Sequence, residues 1–294
     1  MNQLLFSLVT LLFLHAPCMQ TEPVLKIGLV ADPQYADKPP SGTRYYREST
    51  WKLKEAMGTF NDNRVDFVQN LGDIIDGDWN SFDSILPVYR FLHPEIENFH
   101  LLGNHDFAVD SSHLAELLER LSMPNFYYSY VRKGWRFIVL DATDIAFFSN
   151  ALHGYPADMV EAYYGATEGN PNHFSWNGAT GEKQLKWLKQ EVDSAGILGQ
   201  RVIVFSHMPV RPLGIRENMW NDNQVIDILE NHPQVVAFIN GHNHAGNYEM
   251  EKGLHYVTIH GMVEDSVSSY GLLEVYEDHL LLNGFGSQET LRLD

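Results

Sequence analysis

Five short polar clusters carry the side-chain types that hold metal ions. They are Asp32 and Gln34 in ADPQYAD, Asp73 in LGDIID, Asn104 and His105 in LGNHD, His207 in FSHMP, and His242 and His244 in GHNH. Any one of them could be a turn former or a solvated loop residue. All five follow apolar runs with strand character, and glycine stands beside three of them, which points to one shared site. Carboxylates, a carboxamide oxygen and imidazoles suit Mn²⁺, Fe²⁺ or Zn²⁺, whereas all-oxygen sites suit Mg²⁺ or Ca²⁺. The donors are too many for one ion and suit two. Two ions roughly 3.5–4 Å apart can share a carboxylate and clamp a phosphoryl group, and water held between them ionises near neutral pH. The two imidazoles of GHNH would then serve different ions.

The elements that must position these residues are legible as repeated strand-to-loop steps. VLKIGLVAD, VDFVQNLGD, FHLLGNHD, WRFIVLDAT, RVIVFSHMP and VVAFINGHNH each run from apolar residues into a polar turn. Between them, residues 47–63 have helical spacing, with Trp51, Leu53, Met57 and Phe60 among polar residues. A second helix fits SSHLAELLERLS, with Ser111 or Ser112 as its cap. The C-terminal runs LHYVTIHGM and GLLEVYEDHLLLNGFG read as antiparallel hairpins. This alternation predicts an α/β fold, a mixed sheet or a pair of sheets covered by helices. Residues 145–182 interrupt the rhythm and are rich in aromatics, Gly and Asn. So long a segment is usually functional or disordered, and its aromatic content speaks for a lid or pocket wall.

Composition narrows the partners. The 294 residues carry 38 acidic against 20 basic side chains, a net charge of −18. Nucleic acid in bulk is therefore a poor partner, and an anionic substrate needs metal cations or a local basic patch. The apolar run from Leu4 to Leu14 has the length of a secretory signal core, although no Lys or Arg precedes it. Residues 1–20 are accordingly expected to be a leader, with export to the periplasm or the exterior; the alternative is a cytoplasmic chain with a buried N-terminal strand. Cys18, after Pro17, is the less favoured option of a lipid attachment site. Cleavage near residues 18–22 would leave no cysteine and no transmembrane helix. The sequence specifies no oligomeric state.

D-x-Q, G-D-x-x-D, G-N-H-D, a lone His after a strand and G-H-x-H, in that order across residues 32–244, resemble the calcineurin-like metallophosphoesterases. The resemblance implies one domain over 24–294, folded as two packed mixed β-sheets flanked by helices with a dinuclear site at one edge. It further implies that Asp32, Gln34, Asp73 and His244 hold one ion, and that Asp73, Asn104, His207 and His242 hold the other, with Asp73 bridging. His105 would be the general acid, Asp106 would orient it, and Asp76 would support the ligands from behind. Most members have D-x-H at the first motif. The neutral, harder amide oxygen of Gln34 tilts that site from Zn²⁺ towards Mn²⁺. The same Gln, together with GTRYYRES, LGDIIDG and WNGATGEKQLKWLKQEV, resembles the manganese-dependent ADP-ribose/CDP-alcohol diphosphatases.

The expected reaction is hydrolysis of a nucleoside diphosphate derivative to a nucleoside monophosphate. Arg44 and Arg47 are the expected phosphate contacts. Tyr35, Tyr45, Tyr46 or aromatics of 145–182 are the candidates to stack on a base. Phosphodiesterase action on cyclic nucleotides or glycerophosphodiesters would use the same metal site and stays open. A catalytically inactive scaffold of the same fold is the non-enzymatic alternative, disfavoured because every ligand and His105 are present. Purple acid phosphatases resemble G-D-x-x-Y, where this chain has Asp76, and a bifunctional 5′-nucleotidase would need more chain than the roughly 50 residues after GHNH.

Overall fold

Strands buried on both faces dictate the layers. In the computed structural model, which describes residues 22–294, β1 (Leu25–Val30), β2 (Phe67–Asn70) and β3 (Glu97–Phe99) run parallel. They form one sheet with the later antiparallel strands β10 (Ser269–Val275), β11 (Leu280–Gly286) and β12 (Leu291–Leu293), in the order β12-β11-β10-β1-β2-β3. The second sheet has the order β4-β5-β6-β7-β9-β8. Its strands are β4 (Tyr128–Arg132), β5 (Trp135–Val139), β6 (Val202–Ser206), β7 (Val235–Asn240), β8 (Asn247–Glu251) and β9 (Leu254–Thr258). Strands β5, β6, β7 and β9 are parallel, while β4 and β8 close the edges antiparallel. Every residue of β6 and β7 is buried, as parallel strands covered on both faces must be.

The helices are α1 (Ser49–Asn63), the short α2 (Ser81–Ile85), α3 (Leu117–Arg120) and α4 (Asn150–His153), then α5 (Ala157–Gly165), α6 (Glu182–Ile197) and α7 (Asp222–Glu230). Leu53, Ala56, Met57 and Phe60 form the buried stripe of α1. They meet Val30, Val68 and Leu272 on the outer face of the first sheet. Ile27, Leu29 and Phe67 pack between the sheets against Phe137, Phe205 and Ile239. Leu188 and Val192 of α6 and Val225 of α7 cover Ile138, Val204 and Phe238 on the outer face of the second. Three apolar cores thus separate four layers, the expected sandwich. Each fully buried Leu, Phe or Ile contributes about 1.5–3 kcal/mol to holding the layers together.

The carboxyl ends of β1, β2, β6 and β7 meet at one edge, where the polar motifs emerge. Local departures from expectation have local causes. Trp51 is 44% exposed and lies off the buried stripe of α1. The segment 111–122 is a 3-10 turn followed by the one-turn α3, and its cap is Asp110, whose carboxylate accepts the Ser112 N–H. The strand before GNHD ends at Phe99, earlier than its apolar run. The C-terminal hairpins are β8–β9 and β10–β11, but β9 also extends the parallel ladder beside β7. The segment 145–182 holds α4 and α5 and packs Ile145, Val160 and Ala179 against Trp220 of the later chain. The leader and Cys18 lie outside the described residues.

Candidate metal centre

Asp73, the first polar residue past β2 with no exposed surface, is the hub. Its Oδ2 accepts the Gln34 amide at 3.0 Å and lies 3.4 Å from His207 Nε2. Its Oδ1 accepts the backbone N–H of His105 at 2.8 Å. His207 Nε2 is also 3.2 Å from Asn104 Oδ1 and 3.1 Å from His242 Nδ1. On the other side of Asp73, His244 Nε2 lies 3.1 Å from the Gln34 amide nitrogen and 3.5 Å from Asp32 Oδ1. Asp32 Oδ2 in turn accepts the backbone N–H of His242 at 3.0 Å. The structure therefore brings all seven expected ligands and His105 into one constellation.

Backbone geometry makes this convergence possible. Asp32, Gln34, Asp73 and His242 all have positive φ, between 42° and 67°. Non-glycine residues reach this region at a cost of order 1–3 kcal/mol each, and such strain clusters at functional sites. Two of the motif glycines leave space for neighbouring side chains. A Cβ on Gly103 would fall 2.2 Å from Asp73 Oδ1 and 2.6 Å from His207 Cε1, and one on Gly241 would fall 2.6 Å from Asp32 Oδ2.

The residues fit metal ions. Each of the three imidazoles, the buried His207 and the half-buried His242 and His244, has one ring nitrogen tied to an outer oxygen and the other turned inward. His207 Nδ1 meets the Leu71 carbonyl at 2.8 Å, His242 Nε2 meets Asn177 Oδ1 at 3.0 Å, and His244 Nδ1 meets Glu264 Oε1 at 2.6 Å. Outer acceptors of this kind fix the tautomer and direct a lone pair to a metal. Gln34 Oε1 is buried with no hydrogen-bond partner, and exchanging the two ends of the amide would turn that oxygen to the inward side. Asp73, His207 and His242 alone place three ligand atoms within 4.8 Å of one another.

The charges answer one another. Burial works to raise Asp73, but His207, His105 and His242 outweigh it and hold the carboxyl well below its usual range. Burial works to lower His207 and His244, yet Asp73 lifts the first to about 9 and Asp32 lifts the second to about 9. His242 is pushed well down by burial and by the adjacent His207. Against burial, Asp73 and Asp76 raise His105.

The family model for calcineurin-like phosphoesterases matches residues 25–246. The chain belongs to that family. A manganese-dependent ADP-ribose/CDP-alcohol diphosphatase of Oryza sativa is 33% identical, with 90% of this chain and 92% of the relative covered. One of the same name from Arabidopsis thaliana is 31% identical, with 90% and 94% covered. The crystal structure of a dimetal phosphatase from Danio rerio superposes with a TM-score of 0.81 at 28% identity, covering 92% of this chain and 99% of that one. This phosphoesterase is thus a metal-dependent hydrolase.

Several expected neighbours of the centre fall elsewhere. The ring of His105 bonds to Asp76 through Nδ1, not to Asp106. Asp106, with no exposed surface, instead accepts the backbone N–H groups of Ile74, Ile75 and Gly103 and so shapes the two ligand loops. Burial, then the Asp73 charge, pushes its carboxyl up to about 7. Asp76 also pairs with Lys38. Arg44 lines the cavity of about 590 Å³ at the centre, together with His105, Trp176, Arg216 and Glu217. Arg47 does not line it and pairs with Asp37 at the surface. Tyr35 packs against the first core, and Tyr46 is buried with Ala36 and Val263. Trp176 stacks on Phe174 at 4.0 Å, with the Arg216 guanidinium over both rings.

Asn177 and Glu264 went unrecognised as partners of the centre: Asn177 lies within WNGATGEKQLKWLKQEV, but nothing there marks it as a contact of a ligand, and Glu264 stands beside no motif. Asn177 is fully buried and donates to the carbonyls of Asn172 and Arg216 while meeting His242. Glu264 sits on a loop whose carbonyls are gripped by the buried Lys52 of α1, which donates to Met262, Glu264 and Asp265. Its carboxyl is held down to about 2, first by the hydrogen bond to His244.

Proposed function

We propose that this phosphoesterase hydrolyses the phosphoanhydride of nucleoside diphosphate derivatives, of the ADP-ribose or CDP-alcohol type, to a nucleoside monophosphate, using two Mn²⁺ ions. The observation that carries the reading is the cluster of seven donors centred on Asp73, with the amide of Gln34 at the first motif. The names of the relatives support the substrate class. Asp32, Gln34, Asp73 and His244 would hold one ion, and Asp73, Asn104, His207 and His242 the other. When bound, the pair supplies a Lewis-acid clamp for phosphoryl oxygens and lowers the pKa of water.

The chain's own groups complete the chemistry. As the oxygen of water bonds to phosphorus and the anhydride P–O bond breaks, His105 gives its proton to the departing phosphate oxygen. Its side chain is 27% exposed on the cavity, and against burial Asp73 and Asp76 raise its pKa, which favours the proton it has to give. Arg44 and Arg216 supply cationic charge at the cavity wall of a strongly acidic protein, which offsets repulsion of an anionic substrate.

The test strips the protein of metal, restores Mn²⁺ and follows AMP release from ADP-ribose. Release of AMP is expected. Failure to release it, with bis(p-nitrophenyl) phosphate still hydrolysed in the same preparation, would retain the phosphoesterase and overturn the substrate class.

A further inference from the structure

A second group of metal-binding residue types lies apart from the catalytic cluster. Asp141 and Asp144 follow β5, and His153 ends α4. Asp141 is 4% exposed and Asp144 5%, and one ligand atom from each of the three residues lies within 4.8 Å of the others. His153 Nε2 is 3.2 Å from Asp141 Oδ2, and His153 Nδ1 is 4.0 Å from Asp144 Oδ1. Asp141 Oδ2 and His153 Nε2 are both buried, and neither has a hydrogen-bond partner. They pair by charge without hydrogen-bond geometry, so that an ion displacing the His153 proton would find a lone pair on each side of the gap.

The surroundings are those of a ligand set already oriented. Asp141 Oδ1 accepts the N–H and the hydroxyl of Thr143. Asp144 Oδ2 accepts the Gly181 N–H and the Gln184 amide, and its Oδ1 accepts the Tyr155 hydroxyl. Gln184 also clasps the backbone of Asp141 at both its N–H and its carbonyl. Outer hydrogen bonds thus pin both carboxylates, as around bound ions. Burial and the neighbouring Asp141 raise Asp144, while, against burial, Asp141 and Asp144 raise His153.

We propose that Asp141, Asp144 and His153 bind a third divalent transition-metal ion, distinct from the catalytic pair, which fastens the 145–182 segment to the end of β5. Two carboxylates and an imidazole suit Zn²⁺ or Mn²⁺. The ion sits where the segment leaves the sheet, and the N-terminus of α6, where it rejoins the body, bonds to Asp144. Its part is structural: the segment it holds carries Trp176 and Asn177 to the catalytic cavity.

The test loads the full-length protein with Zn²⁺, removes excess ion by gel filtration, and measures metal per chain together with anomalous diffraction at the zinc edge. Three ions per chain are expected, with an anomalous peak between Asp141, Asp144 and His153. Asp141→Asn and His153→Gln should each lose that one ion, keep hydrolysis of bis(p-nitrophenyl) phosphate within several-fold, and become more sensitive to proteolysis within 145–181. Filled catalytic positions with no peak at this cluster would overturn the proposal and leave a protonated His153 between two carboxylates. The wild-type diffraction experiment decides even if both variants fail to fold.

Discussion

The catalytic edge and the 145–182 segment build one cavity by opposite means. At the edge, the donors stand within a few residues of buried strands, and the backbone at Asp32, Gln34, Asp73 and His242 is held at positive φ. The segment contributes little regular structure, and packs Ile145, Val160 and Ala179 against Trp220 of the later chain. Yet it supplies Asn177, the outer partner of His242, and Trp176, part of the cavity wall. The lesson is a division of labour: rigid strand ends hold the reacting groups, and a locally packed excursion tunes them from outside.

That division can be broken from the edge first. Asp73→Asn should abolish turnover and prevent the two ions from binding together, read by kinetics and metal content; near-normal turnover would remove Asp73 from the centre. His105→Ala should lower kcat by about 10²–10⁴ while metal content stays at the wild-type level. Loss of metal in that variant would make His105 a ligand instead of an acid.

The edge also predicts a pH dependence. Without metal, His207 and His244 stay protonated up to about pH 9, and the two ions must displace these protons, one each. Because the two imidazoles serve different ions, the apparent affinity for each Mn²⁺ should rise as pH rises, by about tenfold per unit around neutrality, and level off above the raised pKa values. Calorimetry in buffers of different ionisation heat would count the released protons, and a flat profile would refute the linkage.

From the segment, Asn177→Ala should weaken metal affinity or activity by about 10–100-fold, the usual cost of losing an outer partner of a ligating imidazole. Asn177→Asp, which restores an acceptor, should recover part of that loss. Titration of the Mn²⁺ response distinguishes this from general damage to the fold. Arg47→Ala, at an exposed pair with Asp37, should change turnover by less than about twofold. A large effect there would place substrate well beyond the cavity described.

The edge was legible because its residue types, glycine neighbours and preceding strands coincide in short stretches. Even there, adjacency misled: Asp106 follows His105 directly, but the 3-10 turn over His105–Phe107 turns its carboxylate towards loop N–H groups, and Asp76 takes the imidazole. Tyr35 and Arg47 also lie near the first motif in sequence, yet one packs into the first core and the other meets Asp37. Asn177 and Glu264 could not be read, because their roles arise only when distant segments pack against His242 and His244. The same holds for the pairing of β1 with β10, which no local pattern announces.

That pairing governs the order in which the molecule can mature. Leu25, in the first described strand, lies opposite Val275 near the far end of the chain. During synthesis, one flank of β1 must wait for nearly the whole polypeptide before its antiparallel partner exists. Such non-local closure is slow, and an unpaired flank is a template for wrong partners meanwhile. Chains cut short of β10 would keep every one of the seven metal-binding positions and still leave that flank bare, so a truncated product should be recognised by its tendency to associate before any loss of metal binding is measured.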